Sequence, residues 1–138
     1  MSQDNLMLTY KSRVRGCVEE NAPLWMFSLT KELSDKIERV QKISFCIILG
    51  KKSSIHYSQN LIALKCPTLL ERRQKIAERF ALKVLKNNEH RKMFKFAQNN
   101  RTRAGNRVII PTIKTSRYSK STIPSLGNII NDKFAHKI

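Results

Sequence analysis

The sequence predicts an all-α fold: a small helical bundle of four or five helices with a basic, partly irregular C-terminal tail region. Apolar residues recur at helical spacing through two long stretches, Leu33 to Ile48 and Leu69 to Leu85. Residues that start and stop helices bracket both stretches. The chain has 138 residues, 41% of them hydrophobic, enough for one ordinary core.

The first element predicted is a helix over about residues 4–20, with Met7, Tyr10, Val14, Cys17 and Val18 on one face. Gly16 weakens it, and Pro23 requires an end near Asn21. Pro23 to Leu29 reads as a turn carrying Trp25 and Phe27. Ser28 or Thr30 can cap the second helix, whose buried stripe is expected to be Leu33, Ile37, Val40, Ser44, Ile47 and Ile48. Its outer face offers the pairs Glu32 with Lys36, Asp35 with Arg39, and Glu38 with Lys42. As exposed pairs these are worth about 0.3–0.5 kcal/mol each. Gly50 stops the helix.

A basic turn, Lys51 to Ser54, precedes a short helix around Tyr57 to Leu64 that ends before Pro67. Thr68-Leu-Leu-Glu71 is a capping-box sequence, and it opens a helix to about Lys86 with the stripe Leu69, Ile76, Ala77, Phe80, Ala81, Val84 and Leu85. Asn87 and Asn88 end it, and residues 89–96 are read as one or two further helical turns. Residues 99–106 read as an open loop, Val108 to Ile110 as a brief extended piece, and a last short helix follows Pro124 through Leu126, Ile129 and Ile130. The expected core comprises Trp25, Phe27, Ile37, Val40, Ile47, Phe80 and Val84. Composition divides the chain into a helical body, residues 1–96, and a basic tail region, residues 97–138, with its short terminal helix.

The charge is far from ordinary. Twenty-seven Lys and Arg against ten Asp and Glu give a formal +17, and the pI is near 10.3. Self-repulsion on this scale points to a polyanionic partner, nucleic acid first and an anionic membrane second. Nothing at the N-terminus resembles a signal peptide. The longest apolar run, Ile43 to Leu49, falls far short of the roughly 20 residues that span a bilayer. The expectation is a protein that is not secreted and has no membrane partner, intracellular in nucleus or cytoplasm. Its three cysteines, Cys17, Cys46 and Cys66, act as small hydrophobes.

No catalytic site is predicted. Two-metal chemistry needs converging carboxylates, but Glu19 and Glu20 point to different faces of a helix, while Glu32, Asp35 and Glu38 each have a base one turn later. No glycine-rich phosphate loop and no nucleophile elbow occur. Cys46, His56 and Cys66 are separated by nine residues each, unlike the tight pairs of structural zinc sites. No metal and no cofactor is expected.

The tail carries the one signal above background. From residue 90 to residue 131 there is no acid across 42 residues, against nine Lys or Arg. Arg101, Arg103 and Arg107 offer guanidiniums suited to phosphate forks, and Lys114 adds a cation. Arg117-Tyr118-Ser119-Lys120 places between two cations an aromatic that can stack on a base or ribose. These seven residues, Arg101, Arg103, Arg107, Lys114, Arg117, Tyr118 and Lys120, are the candidate nucleic-acid-binding set. A solubilising charge run is the competing reading, but a merely soluble surface mixes signs.

Three blocks in order support a family resemblance. The first is Ala22-Pro-Leu-Trp25, Ser28-Leu-Thr-Lys31 and Ile37-Glu-Arg-Val-Gln-Lys42 running into Ile47-Ile48-Leu49-Gly50. The second is Leu69-Leu-Glu-Arg-Arg73 with Phe80, Ala81 and Leu85; the third is Thr115-Ser-Arg-Tyr118, Ser121-Thr-Ile-Pro124 and Ile129-Ile-Asn131. Together, over about residues 13–131, they resemble the region downstream of the palm and thumb in non-LTR (LINE-type, jockey-like) retrotransposon reverse transcriptases. Departures from the family pattern are Met26 where it has His, Ile43-Ser44-Phe45 where it has Arg-Ala-Leu, and Ser125 and Gly127 in the last block. The resemblance implies a helical region that helps hold template RNA and target DNA, within a transposable-element enzyme that is an RNA-directed DNA polymerase. The palm's Tyr-X-Asp-Asp sequence is not in this chain. The expectation is therefore a non-catalytic C-terminal fragment, as from a 5′-truncated element, that binds RNA or DNA without strong sequence preference. Two alternatives stay open: an independent small basic helical protein of ribosomal or chromatin accessory type, or a decayed reading frame with no selected function.

Overall fold

The computed structural model describes residues 2–50, 56–97 and 107–134. It is predominantly helical, as the sequence predicts, with one small two-stranded sheet. In chain order the elements are α1 (Gln3–Thr9), a π-helical turn (Tyr10–Val14), α2 (Arg15–Glu19), α3 (Ala22–Trp25), a 3₁₀ turn (Met26–Ser28) and α4 (Lys31–Ile48). There follow α5 (Tyr57–Ala63), α6 (Leu69–Lys86), α7 (Asn88–Arg91), β1 (Lys95–Ala97), β2 (Arg107–Ile109), α8 (Ser116–Ser119) and α9 (Thr122–Phe134). The helical segments outnumber the four or five predicted because α3, α7 and α8 are single four-residue turns and the π-helical turn divides the first predicted helix into α1 and α2. Residues 99–106, which read as an open loop, and the basic turn at 51–54 lie outside the described residues.

By its contacts the chain forms two compact units, one from residues 1–22 and 29–74, the other from Pro23–Ser28 with residues 75–138. This grouping follows packing, whereas the division at residue 96 follows composition.

In the first unit, Thr30 rather than Ser28 caps α4, accepting from the Leu33 amide at 3.3 Å. Gly50 ends the helix at φ +64°, a left-handed conformation that costs glycine nothing. The core holds Tyr10, Phe45, Ile48 and Cys66, with Tyr10 edge-on to Phe45 at 5.3 Å between ring centroids. The buried stripe of α4 is thus rotated from the predicted one. Gln41, Phe45 and Ile48 are buried, Ile37 is half-buried, and Val40 and Ile47 are 40% and 63% exposed. A buried polar residue sets this phase: Gln41 accepts from the Tyr10 hydroxyl at 2.9 Å and donates to the Pro67 carbonyl at 2.9 Å. Cys17, expected on the buried face of the first helix, is exposed, because the π-helical turn shifts the phase of everything after it.

A second polar cluster binds α4 to the segment that follows. Glu38 accepts through Oε1 from the Tyr57 hydroxyl at 2.9 Å and from the Leu69 amide at 3.2 Å. Lys42, the predicted partner of Glu38, instead lies over the Tyr57 ring at 5.1 Å. Of the three predicted pairs on this helix, only Glu32 with Lys36 closes among the described residues, at 2.7 Å. The capping-box threonine works as predicted, Thr68 Oγ1 accepting from the Glu71 amide at 3.2 Å. Arg73 is buried, donating to the Leu69 carbonyl at 3.2 Å and to Ser34 at 3.1 Å. Burial lowers its pKa, and the Glu38 carboxylate opposes that shift. Arg72 grips Glu19 as a fork, its Nη2 lying 2.8 Å from Oε2, and that bond raises the guanidinium's pKa.

In the second unit, Ala81, Val84, Phe94, Val108, Leu126 and Ile130 form the core, flanked by half-buried Phe27, Phe80, Leu85 and Phe96. Of the predicted core, Val84 is buried, while Trp25, Phe27 and Phe80 are half-buried. The terminal helix is longer than predicted: α9 begins at Thr122, accommodates Pro124 in its first turn, and runs through Gly127 to Phe134. Residues 89–96, read as helical, give only the turn α7, and β1 then pairs antiparallel with β2, Phe96 opposite Val108. Three residues are too short a strand for alternation to reveal, and pairing alone defines it.

Candidate nucleic-acid interface

The hairpin strands β1 and β2 position the first of the candidate cations. Phe96 and Val108 pack into the core, so by strand alternation Lys95, Arg107 and Ile109 face outward, and all three are exposed. Lys95 lies opposite Ile109 and Ala97 opposite Arg107, which makes Lys95 and Arg107 diagonal neighbours. In such a ladder diagonal positions are about 7–8 Å apart. The two predicted guanidiniums of the connecting segment, Arg101 and Arg103, lie outside the described residues.

Three further candidates share one short turn. Thr115 caps α8, accepting from the Tyr118 amide at 3.2 Å, and the turn presents Arg117 and Tyr118 with Lys120 as its C-cap. Arg117 and Lys120 are exposed, as is the Tyr118 ring at 38%. Lys114 is exposed in the irregular stretch just before it. No hydrogen bond or ion pair joins this turn to the β1–β2 face among the described residues. What the two groups share is charge without compensation: Arg107, Lys114, Arg117 and Lys120 make no ion pair among the described residues. In the same unit, two of the three acids are taken up elsewhere, Glu89 by Lys92 at 2.7 Å and Glu78 by Lys133.

A second set of cations escaped the sequence reading, which weighed the apolar stripe of α6 and not the opposite face. Lys75, Arg79, Lys83 and Lys86 are all exposed on this helix, without an ion pair among the described residues. At 3.6 residues per turn they fall within an arc of about 80°. Ala77, Ala81 and Val84, each 0% exposed, hold the opposite side in the core. The signal available in the sequence was the four-residue repeat of 75, 79 and 83. Beside this stripe runs an open groove of about 250 Å³ lined by Pro23, Ile76, Phe80, Arg79 and Lys83.

These exposed cations and the exposed Tyr118 ring can offer cation–phosphate contact and stacking. Among the described residues no group of three or more His, Cys, Asp or Glu side chains is placed to hold a metal ion. Among them, no helix is long and apolar enough to cross a membrane. The side chains with perturbed pKa in the first unit, Tyr10, Tyr57, Arg72 and Arg73, belong to the hydrogen-bonded clusters already described. Comparison of the chain with protein-family models, with curated proteins and with solved structures returns no match.

Proposed function

We propose that this protein binds RNA or DNA electrostatically, without strong sequence preference, through the cations of its C-terminal portion. One observation carries the reading: Arg107, Lys114, Arg117 and Lys120 stand exposed and without an ion pair among the described residues, Arg117 and Lys120 sharing a turn with the exposed Tyr118, in a 42-residue run free of acids. Uncompensated charge of one sign destabilises the folded chain by self-repulsion, and a polyanion relieves it. The resemblance to the region downstream of the polymerase in non-LTR reverse transcriptases supplies a context, a non-catalytic fragment that retains the parent's hold on nucleic acid. In that context the chain itself polymerises nothing, and polymerase activity in the purified protein would overturn it.

The test is binding of the purified chain to a single-stranded RNA and a duplex DNA across a salt series. If about five side chains contact phosphate, log affinity falls with log salt at a slope of about −4 to −5 on the duplex and about −3.5 on the single strand. Replacing Arg107, Lys114, Arg117 and Lys120 by Gln should flatten that slope. Binding that ignores salt, or no binding, refutes the proposal. The parentage is tested separately by translating the genomic sequence upstream of the Met1 codon: palm-domain remnants there favour the transposon origin over an independent basic protein.

A further inference from the structure

The stripe on α6 and the groove beside it form a site that the basic tail does not include. We infer that Lys75, Arg79, Lys83 and Lys86 track the phosphates of a single strand of nucleic acid while the groove between Pro23, Ile76 and Phe80 takes one unpaired base. This rests on the nucleic-acid reading above and adds to it a location and a strand preference.

The charge argues for a polyanion running along the helix. Lys86 lies eleven helical steps beyond Lys75, a length of about 16 Å at 1.5 Å per step. Over that length the exposed side of the helix carries four cations, and the one acid within it, Glu78, is occupied by Lys133. Successive cations at 75, 79 and 83 are spaced by one turn, so they form a row rather than a cluster that would suit one compact anion.

The groove argues for an unpaired base. Its volume of about 250 Å³ is apolar at the floor, through Pro23, Ile76 and the half-buried Phe80, and cationic at the rim, through Arg79 and Lys83. A base has an apolar face and an attached phosphate, which is the combination this rim and floor accept. A duplex keeps its bases stacked inside and presents only phosphates here. An anionic membrane fits less well. A helix lying in a membrane surface needs an apolar face to insert, and the apolar face of α6 is already committed to the core through Ala77, Ala81 and Val84.

The experiment uses the full chain, an oligonucleotide of about fifteen nucleotides, an abasic sugar-phosphate oligomer of equal length, and phosphatidylserine vesicles. The variant carries K75Q, R79Q, K83Q and K86Q, exposed positions where Gln is a good helix former, and an unchanged far-ultraviolet circular dichroism spectrum certifies its fold. The wild-type chain should prefer the base-bearing oligomer to the abasic one by about tenfold. The variant should lose that preference, and its salt slope should shrink by about 3, at roughly 0.7 per phosphate contact removed on a single strand. Single Gln substitutions give the same test in steps of about 0.7. Wild-type binding that the variant reproduces, slope included, overturns this inference and leaves the basic-tail reading standing. Equal affinity for the abasic oligomer overturns the role of the groove. Binding to vesicles and not to oligonucleotides, or to neither, overturns both readings together.

Discussion

Asn131 closes the edge of the small sheet by pairing its side chain with the backbone of Val108. The carboxamide accepts from the Val108 amide at 2.8 Å and donates to the Val108 carbonyl at 3.0 Å. One side chain of α9 thus stands where a third strand would stand, satisfying both polar groups of a residue that is 3% exposed. The same hairpin carries Lys95 and Arg107 on its outer face, so this contact fixes the surface on which part of the proposed interface lies.

Replacing Asn131 with Leu removes both bonds and leaves two buried backbone groups unpaired. The expected loss is about 1–3 kcal/mol, read as a lower urea midpoint, with faster exchange of the Val108 amide than of the Val84 amide. Unchanged protection at Val108 would show that the sheet edge does not depend on this side chain.

Gly127, one of the departures from the family pattern, sits inside α9, and the helix passes through it. A Cβ there would meet Ile110 Cγ1 at 3.4 Å and Val108 Cγ1 at 3.5 Å, ordinary packing distances. Gly127→Ala should therefore stabilise the protein by about 0.5–1 kcal/mol through helix propensity. Gly127→Leu, whose branches run on into those two side chains, should destabilise it. Thermal unfolding of both variants decides the matter, and a loss with Ala would mean that the packing there is tighter than the distances imply.

Buried Tyr10 and half-buried Tyr57 predict alkaline sensitivity. Burial, and then the bond donated to Glu38, hold the Tyr57 hydroxyl above its ordinary value of 10.0; burial does the same for Tyr10. In the unfolded chain both ionise near 10, while in the folded chain they keep their protons. The contribution is thus fully present below pH 10 and is lost as pH rises from there through the folded-state values. Urea midpoints measured between about pH 9 and 11 should fall in the wild type and fall less in Tyr57→Phe. Parallel declines would exclude Tyr57 as a source.

The rotated face of α4 predicts unequal costs for two apolar residues two positions apart. Phe45 is 0% exposed and packs on Tyr10, whereas Ile47 is 63% exposed. Phe45→Ala should cost about 3–5 kcal/mol, and Ile47→Lys should stay within about 0.5 kcal/mol. Chemical denaturation separates them. A severe loss with Ile47→Lys would restore the face that periodicity alone suggested.

Why periodicity misled there is physical. The sequence stripe through Leu33, Val40 and Ile47 counts apolar residues, but the interior of this unit selects Gln41, which bridges Tyr10 and Pro67, partners 31 and 26 residues away. No local pattern encodes a pair of distant polar partners. The strand β1 was hidden for a similar reason, since Lys95 to Ala97 become a strand only against Arg107 to Ile109. Of the candidate site, Arg107, Lys114, Arg117, Tyr118 and Lys120 were legible because a run without acids is a property of composition. The α6 stripe was passed over because its cations are interleaved with the apolar residues that hold the helix in the core.

What the sequence determined by itself is what local chemistry controls: that the chain is helical, that α4 starts at Ser28 or Thr30 and stops at Gly50, that Thr68 opens α6, and that unbalanced positive charge gathers toward the C-terminus. Caps and turns act over three or four residues, and net charge is a sum. The tertiary structure decided which face of each helix is inside, that Asn131 substitutes for a strand beside Val108, and that Phe80 and Ile76 floor a groove beneath Arg79 and Lys83. Those outcomes depend on pairs of residues far apart in the chain, whose burial and hydrogen bonds are satisfied only together.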